Sequence, residues 1–387
     1  MPKIDLSCGN RLEVLPFVTE AKYLAMSKLV EDSLVGGFAG EAAAVKLKET
    51  LSTSDAPWSL AQLMNVRNLP EYDAADRQWS KIAAIETVDD FSETSFERFV
   101  PNFDNLKYGK GTGGNAGISP VVPELDTYVY AFGYAEEAVR AKLEKRGFKF
   151  GLSLERIISK LRPTVRNLPG QMLDVALDTD EFLVFDALQS GVTSASQMTA
   201  GGTYLPTGAT ITANPVFSAE ALALGFSQIA QRTDTLTKRK VPLASSYYIV
   251  VQAGQEEMVN IELQQARDGV WLQDGAITRR FPKDSALGRV AGVIGSEWIS
   301  DADAWYAVPA AGTTRRPGLV KLQLSGRTAP EVLVNNFTGV PLSGGRGSDP
   351  FALAHFDNDS VDLKLRQFTN SALITQQQIV WSNGSAS

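Results

Sequence analysis

The two residue types behind most hydrolytic and metal chemistry occur once each, as Cys8 and His355. His355 lies in Ala352-Leu-Ala-His-Phe-Asp-Asn-Asp359, so Asp357 and Asp359 are its nearest acids. A Ser-His-Asp or Cys-His nucleophile would have to use this histidine and no other. Multi-histidine and cysteine-rich metal sites cannot form within one chain, nor can an internal disulfide. Asp349, Asp357, Asp359 and Asp362 cluster without the spacing of a calcium loop. A lone histidine among apolar neighbours reads as a structural residue. Gly109-Lys-Gly-Thr-Gly-Gly114 matches G-x-G-x-x-G in letters only. A dinucleotide site needs a strand directly before that run and a helix opening after it. Here Asn115-Ala-Gly-Ile-Ser-Pro120 follows, and no helix can open through it. The run reads as a mobile loop tip, with five glycines in nine residues from Gly109. No catalytic residue, cofactor or metal is expected. Chemistry on carboxylates alone, as in glycosidases, stays open, although no acid/base couple stands out among 44 acids.

The elements that would position any site follow from periodicity. Residues 1–100 read as helical pieces over Thr19–Val35, Glu41–Leu51 and Trp58–Val66, then an acid-rich stretch from Glu71 to Arg98. A small helical domain and an extended arm on a neighbour both fit. Thr127-Tyr-Val-Tyr-Ala-Phe132 reads as strand. Ala135 to Arg146 reads as helix, with Ala135, Val139 and Leu143 on one face and Gly147 as its stop. Phe148-Lys-Phe-Gly-Leu152 alternates as a short strand. Asn167 and Pro169 open a long helix that Gly191 ends. Residues 190–215 read as a linker. A helix from Ser218, a strand over 245–252 and a helix over 255–266 suggest an α/β or α+β unit. Strands follow at 305–308, 319–324 and 331–334, with a strand-like run over 373–381 before a disordered Ser/Gly end. No run approaches the length of a membrane span, and the polar start lacks a secretory h-region.

Charge is distributed unevenly. The chain as a whole carries −7, which gives no basic footprint for gripping DNA. Residues 142–166 nevertheless hold eight basic residues against two acidic ones. The long helix is acidic, with Asp174 and Asp178 at i,i+4, then Asp180, Glu181 and Asp186. Such a face is either solvated or set against a basic segment of the same or a neighbouring chain.

An ordered set of segments resembles the major capsid proteins of tailed phages with the HK97-like fold, most of all those of actinobacterial siphophages. A glycine-rich tip precedes Val122-Pro-Glu-Leu-Asp-Thr-Tyr128. A charged segment ends Lys145-Arg-Gly-Phe-Lys-Phe-Gly-Leu-Ser-Leu-Glu155. Leu168-Pro-Gly-Gln-Met172 opens a long helix ending Val184-Phe-Asp-Ala-Leu-Gln-Ser-Gly191, and Asp303-Ala-Trp-Tyr-Ala-Val-Pro309 lies far downstream. The resemblance covers roughly residues 100–385.

It implies an α+β fold with an N-terminal arm and helical region (1–103), and an extended E-loop and its return (104–152). A P domain (153–215) would hold a spine helix over 168–190. An A domain (216–300), returning P-domain strands (301–369) and a C-terminal strand and tail (370–387) would follow. It implies no enzyme but a shell subunit, made in the bacterial host cytoplasm and found in the virion. The subunit would assemble with itself as hexamers and pentamers around double-stranded DNA that it touches weakly and without sequence preference. A portal, a separate scaffold protein and a decoration protein would be its partners, with no membrane, and an uncleaved N-terminus is expected. The residues expected at contacts between subunits are Lys107, Lys110, Lys145, Arg146, Asp174, Asp178 and Glu181. Lys107 or Lys110 with Asn335 or Asn336 would be the pair for a covalent cross-link, but both residue types are too common to argue for one. An encapsulin-like compartment shares the fold and is the alternative, with a carboxylate-based enzyme behind it.

Overall fold

Among the described residues, short apolar runs bounded by turn residues give most of the strands, and three long segments rich in Leu, Ala, Glu and Gln give helices. The computed structural model describes residue 72 and residues 75–101, 124–125, 134–198, 202–204, 209–234, 236–237, 239–268, 271–273, 276–278, 286–334 and 360–385. Strands β1 (Ala83–Val88), β2 (Glu93–Pro101), β3 (Tyr134–Lys142) and β4 (Lys145–Ser153) precede the 38-residue helix α1 (Leu154–Gly191). Strands β5 (Gly202–Tyr204) and β6 (Ala209–Ile211) lead to helix α2 (Ala219–Gln231), strand β7 (Tyr247–Gln252) and helix α3 (Glu256–Asp268). The rest is β: β8 (Trp271–Gln273), β9 (Ala276–Thr278), β10 (Val290–Ser296), β11 (Trp305–Pro309), β12 (Leu319–Leu324), β13 (Glu331–Val334), β14 (Ser360–Leu373) and β15 (Val380–Ser382). The α+β class expected from the sequence is the class observed.

Described residues within 147–174 and 329–366 form one compact unit, and those within 75–146, 175–328 and 367–387 form a second. In the first, β13 pairs antiparallel with the opening half of β14, Glu331 opposite Arg366. The Arg366 guanidinium holds the Glu331 carboxylate across that pair. In the second, the sheet β10-β7-β11-β15 is buried on both faces. Tyr247, Ile249 and Val251 of β7, with Trp305 and Ala307 of β11, pack beneath α2 and α3. Val250, Tyr306 and Val308 point the other way, against Val184, Phe185 and Leu188 of α1 and against Trp79. Two-sided burial explains why these strands are nearly continuous apolar runs without alternation. Strand β12 lies between β1 (parallel) and the end of β14 (antiparallel) in a further sheet of this unit.

Several expectations are corrected. Residues 134–142 are strand, although Ala135, Val139 and Leu143 sit at helical spacing. Val139, Ala141 and Leu143 also alternate with Ala138, Arg140 and Lys142, and only the second group is exposed. Nine paired residues with β2, from Glu93↔Lys142 to Pro101↔Tyr134, outweigh the helical preference of Ala and Glu. The acid-rich stretch before residue 101 likewise forms β1 and β2. Helix α1 starts at Leu154 and not at Asn167, so it runs through Pro163 and Pro169. The run Leu154-Glu-Arg-Ile-Ile-Ser-Lys-Leu161 is made mostly of good helix formers and extends the helix despite two missing N–H donors. Gly191 does end α1, and the position needs glycine for room: a Cβ there would meet Leu373 Cβ at 2.7 Å. Strands β5 and β6 occupy part of the expected linker. Strand β14 stops at Leu373, and Val380–Ser382 forms a separate strand, β15, in the other sheet beside β11. The expected Ser/Gly tail is packed through residue 384, where Gly384 takes φ +65° against Asp303.

Candidate assembly site

Strand β12 reads Leu319-Val-Lys-Leu-Gln-Leu, a pattern that should turn Lys321 and Gln323 to solvent. Both are buried, Lys321 to 1% exposure. The side-chain nitrogen of Lys321 lies 2.6 Å from Asp180 Oδ2 on α1 and 4.0 Å from the centre of the Trp79 ring. The hydroxyl of Thr369, paired with Gln323 across the sheet, donates to Asp180 Oδ1 at 3.0 Å. The neighbouring Glu181 accepts from the backbone N–H groups of Gln78 and Trp79, at 2.8 and 3.4 Å, and so holds the 3-10 turn Gln78–Lys81 that carries the tryptophan. Four elements thus converge on one ammonium. Burial depresses the Lys321 pKa to about 8 despite the Asp180 charge, and burial lifts the Glu181 carboxyl above its ordinary value despite its two N–H donors. The ion pair and the ring offset only part of the cost of desolvating the charge.

Asp234 anchors the ribbon of β2 and β3. The Arg98 guanidinium donates to both its oxygens at 2.9 and 2.6 Å, Thr237 N donates at 3.2 Å, and Gln377 Nε2 donates at 3.0 Å. Burial alone would raise the Asp234 pKa, but hydrogen bonds from Arg98, Thr237 and Gln377 outweigh it and hold the carboxyl well below the usual range. Arg232 closes the same unit. Its Nη1 donates to the carbonyls of Gln376, Gln377 and Ile379, and its Nη2 donates to that of Ser196. Backbone carbonyls that no strand ladder uses are satisfied in this way.

Of the residues expected at contacts, Lys107 and Lys110 lie outside the described residues, as do Cys8, Asn335, Asn336, His355 and the run Gly109–Gly114. Lys145 is exposed, and Arg146 bonds Glu144 at 2.6 Å. Asp174 and Asp178 are exposed, whereas Glu181 is half-buried and engaged within its own chain. Lys321, Asp234, Arg98 and Arg232 were not legible as partners, because each partner lies far away in sequence. The one available signal was a lysine in the middle of an apolar strand. Among the described residues no group of three His, Cys, Asp or Glu could hold a metal, and no helix is long and apolar enough to cross a membrane.

These clusters carry packing and charge pairing within the chain. A family model described as phage capsid protein matches residues 136–382, and the chain belongs to that family. No curated protein matches the sequence. Similar solved structures include the capsid of cyanophage P-SCSP1u, at 9% identity and TM-score 0.46 over 80% of this chain and 89% of that one. The holo-SrpI encapsulin complex of Synechococcus elongatus PCC 7942 matches at 10% identity and TM-score 0.44, over 78% and 85%. Mycobacterium phage Patience matches at 12% identity and TM-score 0.39, over 85% and 89%.

Proposed function

We propose that the chain is a major capsid protein of the HK97-like class, assembling with itself as hexamers and pentamers into an icosahedral shell around double-stranded DNA. The family match over residues 136–382 carries this reading, since it spans α1, the whole sheet β10-β7-β11-β15, and strands β4, β12, β13 and β14. Strands β2 and β3 would be the stems of the E-loop, α1 the spine of the P domain, and α2, β7, α3 and β10 the body of the A domain. The net charge of −7 suits a shell whose DNA must slide during packaging, with contacts to phosphate kept weak. The subunit has no catalytic role in this reading and acts in the virion. A portal, a scaffold protein and a decoration protein are its expected partners.

Negative-stain electron microscopy of the purified protein after gel filtration tests it. Closed shells, or hexamers and pentamers, are the expected result. A monodisperse monomer that never assembles, scaffold present, overturns it.

A further inference from the structure

Helix α3 buries Val259, Leu263 and Ala266 at the spacing of one helix face. Its outward side is apolar as well, with Met258 64% and Ile261 46% exposed. Scattered exposed apolar residues need no explanation. These two, however, line one groove of about 310 Å³ with Val216, itself 50% exposed. The polar groups lining it are Gln255, Glu262 and Asp303, with no base. Glu257, exposed, lies one turn before Ile261 on the same helix, whereas Glu256 turns its carboxylate toward Gly295 of β10. The groove is therefore apolar within and acidic at its rim.

The complementary surface lies at the other end of the same unit. Helix α2 starts beside the groove, where Ala219 N donates to Glu262 at 3.3 Å. It ends at Gln231, whose carbonyl accepts from Lys240 Nζ at 2.5 Å. Its 13 residues hold the two ends about 20 Å apart. Strand β7 repeats the separation, since it follows the basic turn and carries Val251 into the groove. Arg239, Lys240 and Pro242 are exposed at the basic end. One rigid core keeps the two surfaces from meeting within a copy. Two copies arranged head to tail can join them, and such heterologous contacts close into rings where the rotation between copies closes.

We propose that the groove seats a second copy of this chain, which sets its Arg239–Lys240 turn against the acidic rim and Pro242 against the apolar floor. The proposal rests on the shell-subunit reading and names one of its contacts. Met258→Glu and Ile261→Asp change side chains exposed in the single copy. They should leave the melting temperature of unassembled protein unchanged and abolish assembly, read by sedimentation and electron microscopy. Lys240→Glu should also abolish assembly, and adding Glu257→Lys should restore it. With Cys8→Ser as background, Ile261→Cys combined with Lys240→Cys should give a ladder of covalent multimers on oxidation. Full assembly of M258E and I261D with no ladder overturns this contact and leaves the shell reading standing. Wild-type protein that stays monomeric under every condition, scaffold included, overturns both.

Discussion

The ammonium of Lys321 stands 4.0 Å from the Trp79 ring and 2.6 Å from Asp180 Oδ2, with both members of the ion pair almost wholly buried. This pair ties the middle of strand β12 to helix α1. Lys321→Met alone leaves a charged Asp180 buried without its partner and should cost about 3–5 kcal/mol. The joint change K321M/D180L removes both charges and should cost less than either single change. Urea unfolding of the four proteins checks this, and strictly additive costs would show that the two residues do not act as a pair.

The same lysine sets a dependence on pH. Burial lowers its pKa from 10.5 to about 8 in the folded chain. Between those values the unfolded chain binds the proton more tightly than the folded chain does. Stability from this group therefore rises with pH across the window, by at most about 1.4 kcal/mol per pH unit. The stability of wild type minus that of K321M should climb from pH 8 to 10.5. A flat or falling difference would remove the desolvated lysine as its source.

Asp234 has the opposite sign. Its folded pKa is depressed, so its contribution is complete above the ordinary carboxylate range and is lost as pH falls through and below it. Asp234→Asn should lower the melting temperature at neutral pH. The gap from wild type should narrow as the buffer is taken below about pH 4, where unfolded aspartate protonates. Melting curves from pH 7 to 2.5 measure both. An unchanged gap at the acid end would mean that the Arg98 contact contributes no ionic stabilisation.

Gly191 touches Leu373 too closely for any side chain. Gly191→Ala should cost about 1–3 kcal/mol through overpacking. Leu373→Ala should recover part of that loss in the double variant, because it removes Cδ2 and Cγ, which a Cβ at residue 191 would meet at 2.8 and 3.3 Å, while Leu373 Cβ stays. A double variant whose cost equals the sum of the two single costs would locate the strain elsewhere.

Legibility of the sequence followed locality. Helix α2 was plain from Ser218, whose side chain accepts from Ala221 N as its cap, and from Leu222, Phe226 and Ile229 on one face. Strands β7 and β11 were plain because both faces are buried and nearly every residue is apolar. Strand β3 was misread because Ala and Glu favour helix, and the partner that decides the matter, β2, lies across the intervening segment. The pairing partner of Lys321 was hidden for the same reason. Alternation marks a polar residue in a strand as solvent-facing, and only the placement of α1 turns that face inward. Asp180 stood among the helix acids with nothing local to separate it from the exposed Asp178.

Strand β15 and the Arg232 guanidinium bear on the timing of biosynthesis. The sheet that begins with β7 gains its edge only when residues 380–382 reach β11, and Arg232 waits for the carbonyls of residues 376–379. A nascent chain can form α2, β7 and α3 on the ribosome, but its central sheet stays open on one side until that late sequence has emerged from the tunnel. Until then the free edge of β11 is an unpaired strand that could pair with a neighbouring chain, so the unit passes its most association-prone stage just before its last residues arrive.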